Sequence, residues 1–508
     1  MTRHVNDNRE SESQGGLEGV RHLSRKIKHG IKWQLITNLS GQAIYFINGI
    51  ILARILSPKE FGIYGMAQII SNFTFMFWNL GINSAIIQKK NVTEEDLETA
   101  FSISFIMGIV SFVIISASAF YLAGFFKEPI VAPLTLLIGT TFLIYAFDRI
   151  PSALLGRNLQ FKQTSLIGLA NPVVYTLVTV PLALLGFGAF SFAWGIIAAS
   201  LTMMAMRIRY SIKFYQWRPR FKIHKGSVKP LLNFGLFVTF QSLINFTFSN
   251  LQRVLTGKYF GAEDLGQFNR AANLSNMPLS KISENVGVVL MPAFSSIQDR
   301  KAKIIDWFKK FNFFTYCIIS PFLFFCLFFP RETIEGIFGT KWLPAAPLLF
   351  WFSLASFFSV SDIFFFSILN GIGKPHTNFY VRLILLFPFI GSVLFSLRWG
   401  LNGVVVVLFL NSVLLFICSV FLLQRYKLVT FYDYFLSCFE PILVSGIVGF
   451  MMVCIFKNGG IFLCAPELKI ILLATIFMLI ITPYYLFRWY KKSFITYLNF
   501  DLKEVVKL

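Results

Sequence analysis

Charge is what this chain has least of. Only 14% of its 508 residues are Asp, Glu, Lys or Arg, against 56% hydrophobic, and the mean hydropathy is +0.66. A water-soluble chain of this length cannot hide so much apolar surface, so a soluble globular protein is excluded and the bulk of the surface faces lipid. Histidine is nearly missing. The five are His4, His22, His29 and His224, in basic stretches, and His376, after a Gly-Lys-Pro turn. None stands at a useful spacing from an acid or a cysteine, so no metal centre and no nucleophile–base pair is legible. The six cysteines stand singly. Cys317, Cys326, Cys418, Cys438 and Cys454 fall in or beside apolar runs, and Cys464 in a short loop. They form neither a disulfide framework nor a zinc site. The GxxxxGK[ST], GxSxG and HExxH patterns are also missing. Acids are the scarcer sign, 24 against 46 bases, for a net charge of +22. In a soluble protein that excess points to nucleic acid. Here the bases collect at the ends of apolar runs, which is a topology signal, and no nucleic-acid partner is expected.

What the chain has is apolar runs of spanning length. They lie at 33–56, 61–87, 99–125, 130–147, 164–185, 188–206, 231–255, 271–294, 311–329, 345–369, 379–397, 401–423, 435–456 and 468–487, fourteen in all. Before them, residues 1–32 form a polar tail ending in Arg25-Lys26-Ile27-Lys28, unlike a cleaved signal peptide. The loops orient the map. With the N-terminus inside, 33 of the 46 bases fall in inside segments and 10 in outside ones, leaving Arg253, Lys281 and Arg382 within spans. That asymmetry predicts both termini in the cytoplasm.

A repeat organises these runs. Gly49–Gln68 reads GIILARILSPKEFGIYGMAQ, and Gly257–Ala272 reads GKYFGAEDLGQFNRAA. A shift of 204 positions lays Arg54 on Lys258, Glu60 on Asp264, Phe61 on Leu265, Gly62 on Gly266 and Tyr64 on Phe268. The copies lie six spans apart and so share an orientation, which predicts a parallel repeat about an axis along the membrane normal. The expected organisation is a basic cytoplasmic tail at 1–32, a six-helix lobe at 33–206, a basic linker at 207–230, a second six-helix lobe at 231–423, and two further helices with a cytoplasmic tail at 424–508.

No outward loop exceeds about twenty residues, which leaves no room for an extramembrane catalytic domain, and the chain is not expected to be an enzyme. Glu263 and Asp264, in the repeated turn, read as caps of the next helix. The intramembrane charges are Arg253, Lys281, Glu284, Asp362 and Arg382. Such residues normally face a bundle interior or a wet cavity. Lys281 and Glu284 are spaced for a local ion pair. Arg382, near a span end, either faces the interior or snorkels. Asp362 has no evident local partner and reads as a cavity or proton site. Arg54 and Lys258 end equivalent helices. A basic cavity suits an anion, and diphosphate is common on membrane lipids. Arg54, Arg253, Lys281 and Arg382 are the substrate-binding candidates, and Asp362 and Glu284 the ion-coupling candidates.

The run GIKWQLITNLSGQAIYFINGIILARILSPKEFGIYGMAQ, followed by LGINSAIIQKKNVTEEDLETAF, resembles the start of the bacterial polysaccharide flippases, within them the colanic-acid and teichuronic-acid exporter group. A first signature falls on Leu52, Ala53, Arg54, Leu56, Pro58, Phe61, Gly62 and Tyr64. A second falls on Pro151, Ala153, Leu154, Leu155, Arg157, Leu159, Phe161 and Lys162. A third, in the second half, falls on Gly257, Phe260, Gly261, Leu265, Gly266, Ala271, Pro278, Pro292, Ala293 and Ser295. The likeness covers about residues 25 to 430. One departure stands out: the family often has Asn-x-Asp-Arg where this chain has Asn250-Leu251-Gln252-Arg253. The resemblance implies the multidrug/oligosaccharidyl-lipid/polysaccharide exporter fold, all-α, with two pseudo-symmetric six-helix lobes around a central cavity and two added C-terminal helices. It also implies alternating-access transfer of undecaprenyl-diphosphate-linked oligosaccharide to the outer leaflet of the bacterial cytoplasmic membrane, for O-antigen, capsule or exopolysaccharide. No cofactor is implied beyond a proton or sodium gradient. The implied partners are the lipid-linked oligosaccharide, membrane lipids, and a polysaccharide polymerase with its chain-length machinery. Two other readings compete: the same fold carrying a peptidoglycan lipid precursor or small molecules, and a membrane polysaccharide polymerase or ligase.

Overall fold

The computed structural model describes residues 36–78, 92–158, 160–458 and 466–490, with a few more between 33 and 91; inside helices, the side chains at 77, 227, 229–242, 281–289, 291–292, 375, 378, 456–458, 466–469, 471 and 485–490 lie outside the described set. The expected tails before residue 33 and after Tyr490 also lie outside it. Among the described residues every element is helical. In chain order they are α1 (Ile36–Ile55), α2 (Pro58–Trp78), α3 (Glu94–Phe126), α4 (Val131–Gly139), α5 (Thr141–Arg157), α6 (Phe161–Leu184), α7 (Phe190–Tyr215), α8 (Lys225–Ser296), α9 (Lys301–Phe328), α10 (Pro330–Phe338), α11 (Ala346–Gly371), α12 (Pro375–Ser396), α13 (Gly400–Arg425), α14 (Phe431–Asn458) and α15 (Pro466–Tyr490). Each of the fourteen expected spans falls on helix, the second as far as Trp78. Among the described residues nine stretches are long and apolar enough to cross a membrane, and one of them, Phe379–Arg425, carries α12 and α13 together. Phe120, Leu177, Phe387 and Leu479 are exposed on these helices, as lipid-facing side chains are.

The chain divides into two compact units, residues 1–56 with 66–243, and residues 57–65 with 244–508. In the first unit α3 packs on α5, α5 on α7, and α6 on α7. Thr93 starts α3 with a capping box: its hydroxyl accepts from the Asp96 amide, and the Asp96 carboxylate accepts from the Thr93 amide. Lys89 pairs with that carboxylate at 2.5 Å. The signature residue Arg157, in the last turn of α5, donates to the carbonyls of Ile86, Ile87 and Lys89. It thereby ties the end of α5 to the segment that follows α2. The stretch after α7 is not a loose connector. Trp217 packs edge-on against Phe101 and Phe221 lies tilted against it, the Lys222 carbonyl accepts from Ser102 Oγ at 2.9 Å, and His224 Nε2 meets Glu98 at 3.1 Å.

In the second unit α9 packs on α11 and α14, α11 on α13, and α10 on α15. Polar residues along α9 bind α14. Asn312 Nδ2 donates to Ser437 Oγ at 2.7 Å, the Tyr316 and Tyr434 hydroxyls meet at 2.6 Å, and the Ser320 and Ser445 hydroxyls meet at 2.9 Å. Their spacing of four puts Asn312, Tyr316 and Ser320 on one helix face, and in lipid such bonds hold helices together where apolar contact cannot.

The two copies of the repeated motif meet within this second unit. Ser57 caps α2, its amide and hydroxyl donating to Glu60 Oε2 at 2.6 and 2.8 Å, with Pro58 in the first turn. In the second copy Gly261, at φ 90° and ψ −175°, breaks α8 into two arms. The copies then cross backbone to backbone. A Cβ on Gly62 would lie 1.6 Å from the Ala262 carbonyl oxygen, and a Cβ on Gly266 would lie 2.0 Å from the Pro58 carbonyl oxygen. Ala262 is Pro58 shifted by 204 positions, as Gly266 is Gly62. Each copy therefore uses the same glycine against the same carbonyl of the other, the reciprocity of a local two-fold axis. Arg270 covers this crossing, its guanidinium 4.2 Å from the Phe61 ring and 5.4 Å from the Trp342 ring.

Candidate functional site

Each unit brings oppositely charged side chains together among its apolar helices. In the second unit their contacts join the first arm of α8 to α11 and α12. Arg382 Nη2 donates to Asp362 Oδ2 at 2.6 Å, and Nη1 donates to Asn245 Oδ1 at 3.3 Å. The two charged side chains are 21% and 28% exposed, so the pair is only partly screened. Both residues were expected inside spans, but without each other. Asp362 has a partner after all, twenty residues on, across the turn between α11 and α12. Arg382 is held in an ion pair rather than extended toward a membrane surface. Asp362 Oδ1 is buried without a hydrogen-bond partner.

Two turns along α8 from Asn245, Gln252 Oε1 and Arg253 Nε are also buried without partners. Asn245, Gln252 and Arg253, at i, i+7 and i+8, lie on one helix face. Gln252, which departs from the family pattern, spends its amide donor on the Ser249 carbonyl at 2.9 Å. The side chains of Lys281 and Glu284, on the second arm of α8, lie outside the described residues. Arg54 and Lys258 are both exposed at their equivalent helix ends. Of the six expected site residues, the structure therefore brings Asp362 and Arg382 together and places Arg253 farther along the α8 face that carries Asn245.

In the first unit a polar cavity of about 270 Å³ opens among α2, α5, α6 and α7. Its chemistry comes from Trp78, Tyr145, Asp148, Arg149, Asn171 and Arg207. Arg207 Nη1 donates to Asp148 Oδ2 in an ion pair whose side chains are 19% and 13% exposed. The Arg149 guanidinium lies 4.1 Å from the Trp78 ring centroid. Asp148 Oδ1 and Trp78 Nε1 are buried without hydrogen-bond partners. None of these residues was singled out from the sequence. The hydropathy reading ends the fourth span at residue 147 and the sixth at 206, which puts Asp148, Arg149 and Arg207 in cytoplasmic segments. The helices run on to Arg157 and Tyr215, so those charges sit on helix and inside the bundle. The available signal was the Phe75-x-x-Trp78 and Tyr145-x-x-Asp148-Arg149 spacing, which aligns aromatics and charges on one face. Among the described residues no group of three or more His, Cys, Asp or Glu side chains is placed to hold a metal ion.

Comparison with known proteins gives these sites a context. The chain is 24% identical over 437 residues to the teichuronic acid biosynthesis protein TuaB of Bacillus subtilis, covering 84% of this chain and 88% of that one. It is 26% identical over 327 residues to the lipopolysaccharide biosynthesis protein WzxC of Escherichia coli, covering 64% and 66%. Among solved structures it is similar to the lipid II flippase MurJ in an inward closed conformation, with a TM-score of 0.70 at 15% identity over 89% of this chain and 98% of that one. An inward-facing multidrug resistance transporter of the MATE family follows, with a TM-score of 0.53 at 12% identity over 84% and 100%. These likenesses establish the exporter fold expected from the sequence. The model of a family of polysaccharide biosynthesis proteins matches residues 51–347, more than half of the chain, and the chain belongs to that family.

Proposed function

We propose that this protein is a flippase that moves polyprenyl-diphosphate-linked oligosaccharide across the bacterial cytoplasmic membrane, both termini inside, by alternating access. The observation that carries the reading is the Asn245–Asp362–Arg382 cluster. A guanidinium and a carboxylate held among apolar helices are costly in lipid unless they serve a hydrated path. The cationic candidates for the diphosphate are Arg253, Lys281 and Arg382 of the second unit, and Arg54 at the end of α1. A diphosphate cannot enter hydrocarbon bare, and fixed cations replace part of its hydration.

The ion pair supplies a coupling step. While Asp362 is ionised it holds Arg382 at 2.6 Å. A proton taken up on Asp362 removes that attraction and frees Arg382 for phosphate. Loss of the proton re-forms the pair and expels the anion. Glu284 is the second candidate for this role. A relative named for teichuronic acid and one named for lipopolysaccharide support a glycan cargo. A polymerase and chain-length machinery are the partners such a cargo would require downstream.

The test is charge removal that keeps size and hydrogen bonding. Arg253→Gln and Arg382→Gln, at normal protein levels, are expected to abolish polysaccharide export, with lipid-linked repeat units collecting in the inner leaflet. Export at the wild-type level in both variants overturns the cationic reading.

A further inference from the structure

α13 and α14 follow one another in the chain, yet each packs chiefly on another helix, α13 on α11 and α14 on α9. A groove of about 470 Å³ runs between them, floored by α9 and α11. Its surface is aromatic. The Phe416 ring centroid lies 5.5 Å from that of Phe358 and 4.8 Å from that of Tyr434, and Phe324 lies 4.9 Å from Phe357. The polar atoms in the lining are already engaged. The Tyr316 hydroxyl donates to the Phe357 carbonyl at 2.7 Å and meets the Tyr434 hydroxyl at 2.6 Å, and Cys438 Sγ donates to the Phe435 carbonyl at 3.6 Å. A sugar, an ion or a peptide backbone would lose its water here and gain no hydrogen bond. A hydrocarbon chain loses nothing.

The groove also has a length and a mouth. Along α14 its lining runs from Phe431 to Ile442, which is about 16 Å of helix. Half of a hydrocarbon core of about 30 Å is about 15 Å. Phe431 begins α14, so on the orientation proposed above the groove covers the inner leaflet and no more. The turn from α13 to α14 crosses its cytoplasmic end. That turn is fixed, because Leu428 and Val429 are buried in the core of the second unit. Arg425, Lys427 and Lys374 are exposed around it, the Lys374 ammonium 4.1 Å from the ring of Tyr426 in the same turn. The acid beside them, Asp433, is held by Lys309 at 2.7 Å. A surplus of positive charge therefore stands over an apolar groove one leaflet deep.

We propose that the groove between α13 and α14 binds one acyl chain of an anionic glycerophospholipid of the inner leaflet, its phosphate met by Arg425 and Lys427. This lipid is a resident of the protein and is not carried by it. A polyprenyl chain of many isoprene units is longer than a leaflet and overruns a groove of this length. The site takes its leaflet from the proposed orientation and depends on nothing about the cargo.

Native mass spectrometry of the full-length protein released from detergent tests it. The probes are phosphatidylglycerol, phosphatidylcholine with the same acyl chains, and undecaprenyl phosphate. One phosphatidylglycerol per protein is expected to stay bound at concentrations where phosphatidylcholine does not. A base at the membrane surface is worth about fivefold in binding. Arg425→Gln with Lys427→Gln is therefore expected to weaken phosphatidylglycerol by about 25-fold. Arg209→Gln with Lys213→Gln removes the same charge from exposed positions on α7 and is expected to change nothing. Leu354→Trp fills the groove from α11 and is expected to weaken phosphatidylglycerol at least about tenfold. Ile442→Trp fills it from α14 and repeats the test if the first variant does not elute as the wild type does. Phosphatidylcholine held as firmly as phosphatidylglycerol overturns the headgroup assignment. Binding that survives both tryptophans overturns the location. An equal loss in the α7 pair means that charge anywhere on the surface suffices, and the site falls. Displacement of phosphatidylglycerol by an equal concentration of undecaprenyl phosphate gives the groove to the polyprenyl chain and overturns the proposal, as does the retention of no lipid at all. Binding is read here without a gradient or a glycan. Loss of transport in a separate assay therefore leaves the site standing, and loss of the site leaves the flippase reading standing.

Discussion

Gly62→Ala adds one methyl group at the point where the two repeat copies touch. That carbon would stand 1.6 Å from the Ala262 carbonyl oxygen and 2.4 Å from its carbon, where real Cβ atoms keep beyond 3.0 Å. Backbone lies on both sides, so no rotamer offers escape, and the segments must part by at least about 1.4 Å. Overpacking of this kind costs about 1–3 kcal/mol, and more where backbone must move. Gly168→Ala is the control, because no atom lies within 4 Å of the added carbon and the site is on helix. There the entropic advantage of Ala over Gly stabilises by about 0.5–1 kcal/mol. The two substitutions should therefore act in opposite directions and differ by about 1.5–4 kcal/mol. Gly266→Ala, 2.0 Å from the Pro58 carbonyl oxygen, should behave like Gly62→Ala. The double variant should cost less than the sum, since the first substitution has already parted the segments that the second must part. Thermal unfolding of the detergent-solubilised protein, followed by the loss of its monodisperse elution peak, reads all four. If Gly62→Ala melts with or above Gly168→Ala, the crossing does not exist as described. If the two crossing variants are strictly additive, they do not share one contact.

Breaking the pair at Arg382 leaves an uncompensated charge. A double-mutant cycle with Asp362→Asn and Arg382→Gln should return a coupling of about 0.5–3 kcal/mol in unfolding experiments, and zero coupling contradicts the ion pair. Ser57→Ala removes the cap of α2 and should cost about 0.5–2 kcal/mol in the same melts, while Ser57→Asp keeps most of it. Arg157→Gln withdraws donors from the carbonyls of Ile86, Ile87 and Lys89 and should lower the melting midpoint. A midpoint equal to the wild type removes the structural reason for that signature residue. Single cysteines placed at 218–223 should label from the cytoplasmic side only, and labelling from outside in intact cells refutes the proposed orientation.

The spans and the repeat were legible because both are carried by composition and spacing. Apolar runs of about twenty residues announce themselves, and a 204-residue offset places Gly62 on Gly266 before any contact is known. The charges were harder to place. Hydropathy ends a span at its first cluster of polar residues, and Asp148-Arg149 is such a cluster, so a helix that continues for nearly three more turns, to Arg157, is cut short there. A charge facing the bundle interior and a charge in a loop look alike in a hydropathy profile, and only the packing of α5 on α7 separates them. Asp362 and Arg382 were both singled out, but their pairing depends on how α11 and α12 come together after the turn at Gly373, and no local spacing encodes that. The capping residues were the reverse case. Ser57-Pro58-Lys59-Glu60 is a capping box in plain sequence, whereas the repeat alignment registers only its acid.

The account stands or falls on movement of a sugar headgroup across a bilayer. The purified protein is to be placed in liposomes that carry a polyprenyl-diphosphate oligosaccharide in both leaflets, and a membrane-impermeant glycosidase added outside. In protein-free liposomes the inner-leaflet sugars stay protected. With the protein present and a proton gradient imposed, that protected share is expected to be digested, and Arg382→Gln is expected to restore the protection. Sugars that stay as protected with the wild-type protein as without it contradict the central claim.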